Sequence, residues 1–181
     1  GTGHRIEVGR QAHVVCDYVP GRSLAQVIEK TKQEQIPLGV DHALTVLQGL
    51  AQSLIQLNGK GLSHGILSPH SVWLSYEGAT NLLDAPFAAI IHGILPKARV
   101  AEISLERYRR EAGATPLQQD LFALGAILYE LLTLEKLPQA TEIPAALSKA
   151  TLKAAQEDEP IPGEILGLLR RLLAVEQPFE T

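Results

Sequence analysis

The apolar positions of the chain fall into stretches of two different periods. Residues 5–9 and 12–19 alternate around Gly9-Arg10, which predicts two strands of a hairpin. Pro20-Gly21 reads as a turn, and Ser23-x-x-Gln26 as a capping box opening a helix that runs to about Thr31. After the linker Ile36-Pro37-Leu38-Gly39, Asp41 is the expected cap of the next helix. There Ala43, Leu47, Leu50, Leu54 and Leu57 share one stripe, and Gly59 and Gly61 end it. Residues 72–75 and 81–83 flank a Glu77-Gly78 turn and predict a second, smaller hairpin. Thr115-Pro116-x-Gln118 is another capping box, with Pro at the first helical position. It opens a helix whose stripe is Leu121, Leu124, Leu128 and Leu131, widened by Ile127. Residues 144–157 read as a helix from Ala and Lys propensity, and residues 161–173 as the last one, with Ile165, Leu168, Leu169 and Leu172 inward. The balance is α+β, mainly α, without repeats or low-complexity segments.

Composition narrows the function classes. The 181 residues suffice for one well-buried domain or one large lobe. Apolar residues make up 45%, yet no run reaches membrane-span length, so no membrane insertion is expected. Gly1-Thr-Gly3 carries no signal-peptide pattern. The single cysteine, Cys16, excludes an internal disulfide framework and points to a reducing, cytoplasmic setting. A net charge of −4 argues against a nucleic-acid binder, and the local run Lys97, Arg99, Arg107, Arg109 and Arg110 reads as a solvated face.

The stretch His64-Gly-Ile-Leu-Ser-Pro-His-Ser-Val-Trp-Leu74 resembles the catalytic loop of protein kinases, whose pattern is His-Arg-Asp-Leu-Lys-Pro-Glu-Asn-Ile-Leu-Leu. The His, the Leu, the Pro and the apolar tail are kept. Ile66 replaces the base Asp, Ser68 the Lys and Ser71 the metal-binding Asn. At the family's spacing beyond Ser71, Asp84-Ala85-Pro86 stands where Asp-Phe-Gly belongs, so only the Asp survives. Asp120-Leu-Phe-Ala-Leu-Gly-Ala-Ile-Leu-Tyr-Glu-Leu-Leu132 is similar to the long buried helix of the larger kinase lobe, the C-lobe. Cys16-Asp-Tyr-Val-Pro-Gly-Arg-Ser-Leu24 is similar to the hinge between lobes.

The resemblance implies a kinase-like C-lobe over residues 20–181, lacking the family's final helix, preceded by a remnant N-lobe hairpin and hinge over residues 1–19. The Gly-rich phosphate loop, the phosphate-binding Lys and its Glu partner have no counterpart in these residues. By the same resemblance His64 is a spine histidine, Asp120 accepts backbone N–H bonds from the catalytic loop, and Glu106 in Ser104-Leu-Glu106 is the retained acid of Ala-Pro-Glu. Trp73 stands beneath the adenine position, where its indole either fills the nucleotide space or turns aside as a core aromatic. Residues 85–103, the activation segment by resemblance, contain no Ser, Thr or Tyr and are apolar, and Gly65 replaces the Arg that would pair with a phosphate there.

Phosphoryl transfer needs held phosphates, metal-held charge and an oriented nucleophile. Ile66 has no basic atom, Ser68 cannot neutralise charge, and Ser71 is a short ligand that leaves Asp84 the sole metal candidate. The pair His64 and His70 lacks further ligands for zinc, and no G-x-S-x-G elbow supports a serine nucleophile. The expectation is therefore a pseudokinase: no enzyme, no cofactor, no ATP binding, a regulatory or scaffolding module that binds a protein partner. Two alternatives stand beside it. One is an atypical kinase-fold enzyme that binds a metal-nucleotide through Asp84; the other is a kinase-like lobe completed by another chain.

Overall fold

A computed structural model of the chain describes residues 4–8, 11–15, 17–35, 38–83, 106–108, 110, 113–148 and 161–174. Its interior is built on helix α3, Pro116–Thr133, as numbered in chain order below. Thr115 caps it as expected: its hydroxyl accepts from the Gln118 backbone N–H while Gln118 returns a bond to the Thr115 N–H. The expected stripe understates its burial. Every residue from Phe122 to Leu132 is buried, so the helix is surrounded rather than one-sided. Helix α2, Val40–Asn58, lays Ala43, Leu47, Leu50 and Leu54 against it, with Leu57 partly buried beside them. Helix α5, Gly163–Leu172, packs on it through Leu169 and Leu172.

Gly125 lets α3 and α5 approach closely, since a Cβ there would meet the Leu172 Cβ at 2.8 Å. Three further helical elements complete the lobe: α1, Leu24–Glu34; the short α4, Ile143–Ser148; and a 3-10 turn at Glu106–Tyr108.

Two sheets accompany the helices. Strands β1, His4–Val8, and β2, Gln11–Val15, pair antiparallel with Val8 opposite Gln11, which is the expected N-terminal hairpin, but residues 17–19, expected in its second strand, are not strand. The second sheet has the order β3-β4-β5 and is antiparallel throughout: Gly21–Ser23, Val72–Ser75 and Thr80–Leu82. The architecture is thus α+β and mainly helical.

Several boundaries move from their expected places. Gly21 is the first residue of β3, opposite Ser75, rather than part of a turn, because strand pairing with β4 takes it up. The Ser23–Gln26 capping box of α1 forms, but the helix continues to Glu34, supported by Gln33 on Glu29 and Lys30 near Glu34. Gly39, not Asp41, is the N-cap of α2; Val40 packs on the core and draws the helix start forward, which leaves Asp41 in the first turn near the positive helix end. The closing helix starts at Gly163, after Pro162. Of the helix expected over 144–157, residues 143–148 form α4, and residues 149–157 lie outside the described residues. Among the described residues, no helix is long and apolar enough to cross a membrane.

Candidate functional site

The kinase-like loop is held from below by one carboxylate. Asp120, in the second turn of α3, is 2% exposed. Its Oδ2 accepts the His64 N–H and its Oδ1 the Gly65 N–H, both at 2.7 Å. A charged acceptor shared by two backbone donors in a dry site fixes the path of the chain there. Gly65 adopts φ 73, the left-handed region where a side chain is strained. His64 is fully buried, and its Nε2 lies 2.8 Å from the Leu83 carbonyl oxygen, so Nε2 carries the proton and donates. Its Nδ1 has no partner among the described residues. The Leu83 N–H donates to the Ser71 carbonyl, which closes the loop onto the hairpin strand β5.

Within the loop, the Ser71 side chain satisfies the Ser68 backbone. The Ser71 hydroxyl donates to the Ser68 carbonyl at 2.9 Å and accepts the Ser68 N–H at 3.0 Å, and the Ser71 N–H bonds the same carbonyl. Ser71 is 3% exposed. Its oxygen is an internal brace of a tight turn, so its donor and one acceptor site are already engaged. Ile66 is half-buried beside Leu67, which is in the core. The Pro69 carbonyl accepts from the Ala25 N–H at the start of α1, which ties the loop to that helix.

Trp73 is half-buried on β4, and its indole N–H donates to the Val19 carbonyl at 3.0 Å. Val19 lies in the hinge-like stretch, so the ring bridges this stretch and the sheet. The residue that makes the approach possible is Gly21, which sequence reasoning assigned only to a turn. A Cβ there would lie 2.7 Å from the indole nitrogen and collide with the Leu74 carbonyl.

A second polar cluster was not singled out from the sequence. Glu130 sits in the buried run of α3 and is 4% exposed. Tyr108 donates its hydroxyl to Glu130 Oε2, and Lys32 Nζ is 3.9 Å from Oε1. Burial, and then the neighbouring Glu130, push the Tyr108 phenol far above its ordinary range. Burial also raises Tyr129. The cluster opens on a groove of about 640 Å³ lined by α1, Pro69, His70, Tyr108, Glu130 and Lys136. The sequence signal for it is a lone acid in Ala126-Ile-Leu-Tyr-Glu130-Leu-Leu, a charge that burial would forbid without partners.

The structure therefore brings His64, Gly65 and Asp120 together, sets Ser68 against Ser71, and sets Trp73 against Val19. Asp84, the apolar segment 85–103 and the side chain of Glu106 lie outside the described residues. Among the described residues, no three His, Cys, Asp or Glu side chains converge as a metal site needs.

No family model matches the chain. Among curated proteins it is 27% identical over 180 residues to the probable serine/threonine-protein kinase PknB of Lactococcus lactis, covering 84% of this chain and 28% of that protein. It is 25% identical over 127 residues to the serine/threonine-protein kinase PrkC of Bacillus subtilis, covering 67% of this chain and 19% of that protein. It is also 28% identical over 132 residues to a probable inactive receptor kinase of Arabidopsis thaliana, covering 66% of this chain and 12% of that protein. The chain thus spans less than a third of the length of each of these relatives. Among solved structures, the apo form of PpkA-294 superposes with a TM-score of 0.69 at 19% identity, covering 96% of this chain and 62% of that one.

Proposed function

We propose that this chain, a member of the protein-kinase-like superfamily by sequence and fold, is a pseudokinase lobe: a regulatory or scaffolding module that binds a protein partner and transfers no phosphate. The observation that carries this is the closed pair Ser68–Ser71. Where the family places a metal-binding Asn, the buried Ser71 hydroxyl is spent on the backbone N–H and C=O of Ser68, and where it places a Lys, Ser68 offers only a short, buried hydroxyl. A buried oxygen already donating and accepting makes a poor ligand for a hydrated divalent ion, which keeps most of its water and favours carboxylates. Ile66 offers no proton acceptor where the base belongs. These residues do not fit a metal-nucleotide, and no step is derived through one.

Trp73 supports the same reading. In the adenine position of the family its ring is tethered to the hinge-like carbonyl of Val19, which favours the ring filling that space over turning aside. What remains of the kinase pattern serves shape: Asp120 holds the loop, and His64 joins it to β5. The apolar segment 85–103, whose phosphate acceptors are absent from the sequence, is the stretch a partner would cover. The single cysteine suits a reducing compartment, and a cytoplasmic location accords with that.

A second reading, an enzyme that uses Asp84 to hold a metal-nucleotide, is favoured by the serine/threonine-kinase names of several relatives. Incubation of the chain with labelled ATP, magnesium or manganese and a mixed protein substrate separates the two. The pseudokinase reading expects no label above a denatured control in substrate or chain. Label that disappears in Asp84→Ala would establish the enzyme instead.

A further inference from the structure

We infer that the groove along α1 is a docking site for an extended, acidic segment of a protein partner, gripped by a cation at each end. This rests on the reading of the chain as a partner-binding module and names the chemistry of the partner. Two contacts fix the direction of the groove. The Ala25 N–H donates to the Pro69 carbonyl at 3.0 Å, which sets the start of α1 beside Pro69 and His70. Lys32 Nζ lies 3.9 Å from Glu130, which sets the last turn of α1 beside the end of α3. The groove of about 640 Å³ therefore follows the helix from one end to the other. The 11 residues of α1 rise about 16 Å. That is the reach of about five residues of extended chain, a length that a single small anion would leave mostly unfilled.

The charges lining the groove do not cancel. Lys30 is 3.7 Å from Glu34, so that pair is balanced within the groove wall. Glu130, the buried acid, faces Lys32 and accepts the Tyr108 hydroxyl, so it calls for no further cation. Glu29 accepts from Gln33 at 2.9 Å. Arg22 and Lys136 line the groove, are exposed, and have no acidic partner among the described residues. Arg22 stands just before the Ser23 cap of α1, at the His70 end. Lys136 follows Leu134, the C-cap of α3, at the Glu130 end. The two unpaired cations thus occupy opposite ends of one groove. Their complement is a strand-like segment with acidic side chains about five residues apart and uncharged ones between.

Fluorescence anisotropy on the full chain tests this with labelled decapeptides of alanine, glycine and glutamine. The probe carries two glutamates five positions apart. Control peptides carry glutamine or lysine at those places, or the two glutamates side by side. The probe should bind about tenfold more tightly than the glutamine control, the product of two exposed ion pairs. Raising the ionic strength to about 1 M, where charges are screened beyond about 3 Å, should remove that difference. Arg22→Gln and Lys136→Gln should each weaken the probe about three- to fivefold, with the melting temperature unchanged because neither side chain has an ion pair to lose.

Equal binding of the glutamate and glutamine peptides would overturn the inference, as would tighter binding of the lysine peptide or indifference to either substitution. Equally tight binding of the peptide with adjacent glutamates would overturn the two-ended geometry. Self-association of the wild-type chain that the double variant abolishes would also overturn it, since the occupant would then be a second copy. The peptides contain no Ser, Thr or Tyr. Phosphate transfer by the chain to another substrate would therefore defeat the pseudokinase reading and leave these measurements to judge the groove.

Discussion

The oxygen of Ser71 and the carboxylate of Asp120 brace the same loop in opposite ways. Ser71 satisfies its own turn, whereas Asp120 reaches across from α3 to hold the His64 and Gly65 N–H groups. Removing Asp120 orphans two donors, the buried His64 N–H and the partly buried Gly65 N–H. Asp120→Ala should therefore destabilise the chain by about 2–4 kcal/mol, and Asp84→Ala by much less, as read from chemical denaturation of both. Equal losses would refute the structural role given to Asp120. Glu130 poses a similar question, because it is buried and, among the described residues, is met by Tyr108 and, at 3.9 Å, by Lys32. Tyr108→Phe removes the donor and keeps the ring, so it should cost about 1–3 kcal/mol. A neutral result in the same denaturation would mean that water replaces the hydroxyl at the mouth of the groove.

At the scale of elements, α3 sets the terms for its neighbours. Gly125→Ala makes the point through two opposed effects. Alanine is the better helix former by about 0.5–1 kcal/mol, but its Cβ would press on Leu172 and Leu173 of the α5 end, and overpacking of this kind costs about 1–3 kcal/mol. The second effect should win, giving a net loss of stability in thermal melts; a gain would show that α5 can shift away.

Much of this element structure was legible in the sequence. The two capping boxes, the stripe of α2 and the hairpin β4–β5 depend on local chemistry, and local chemistry is what a pattern of residues records. Contacts between distant residues were not legible. Gly39 displaced Asp41 as a cap because Val40 packs on the core, and Gly21 left its turn to pair with Ser75. At the site, the positions of Ile66, Ser68, Ser71 and Trp73 could be read from a resemblance. The bonding of the Ser71 hydroxyl to the Ser68 backbone, the reach of Trp73 to Val19 and the burial of Glu130 could not, since each needs a partner placed by the fold.

At the scale of the whole molecule, the preserved scaffold and the altered loop have to be read together. The lobe keeps its central helix, its loop anchor and its small hairpin, and the loop residues that remain serve that scaffold. A partner surface then becomes the functional question. Phe87, Ile90, Ile91, Ile94 and Leu95 carry apolar area worth about 25 cal/mol per Å² when removed from water. If a partner covers that segment, Ile91→Asp should abolish the complex while leaving the melting temperature of the free chain unchanged. A variant that binds as wild type would exclude the segment from the interface.

The central claim is that the nucleotide site is closed by the chain's own side chains, and calorimetric titration of the wild-type chain with magnesium and ATP tests it most directly. The account predicts no heat of binding at nucleotide concentrations below about 1 mM, the range where net affinity falls to roughly −4 kcal/mol, and no quenching of the single tryptophan, Trp73. Saturable binding in the micromolar range, with Trp73 fluorescence changing in step, would contradict it.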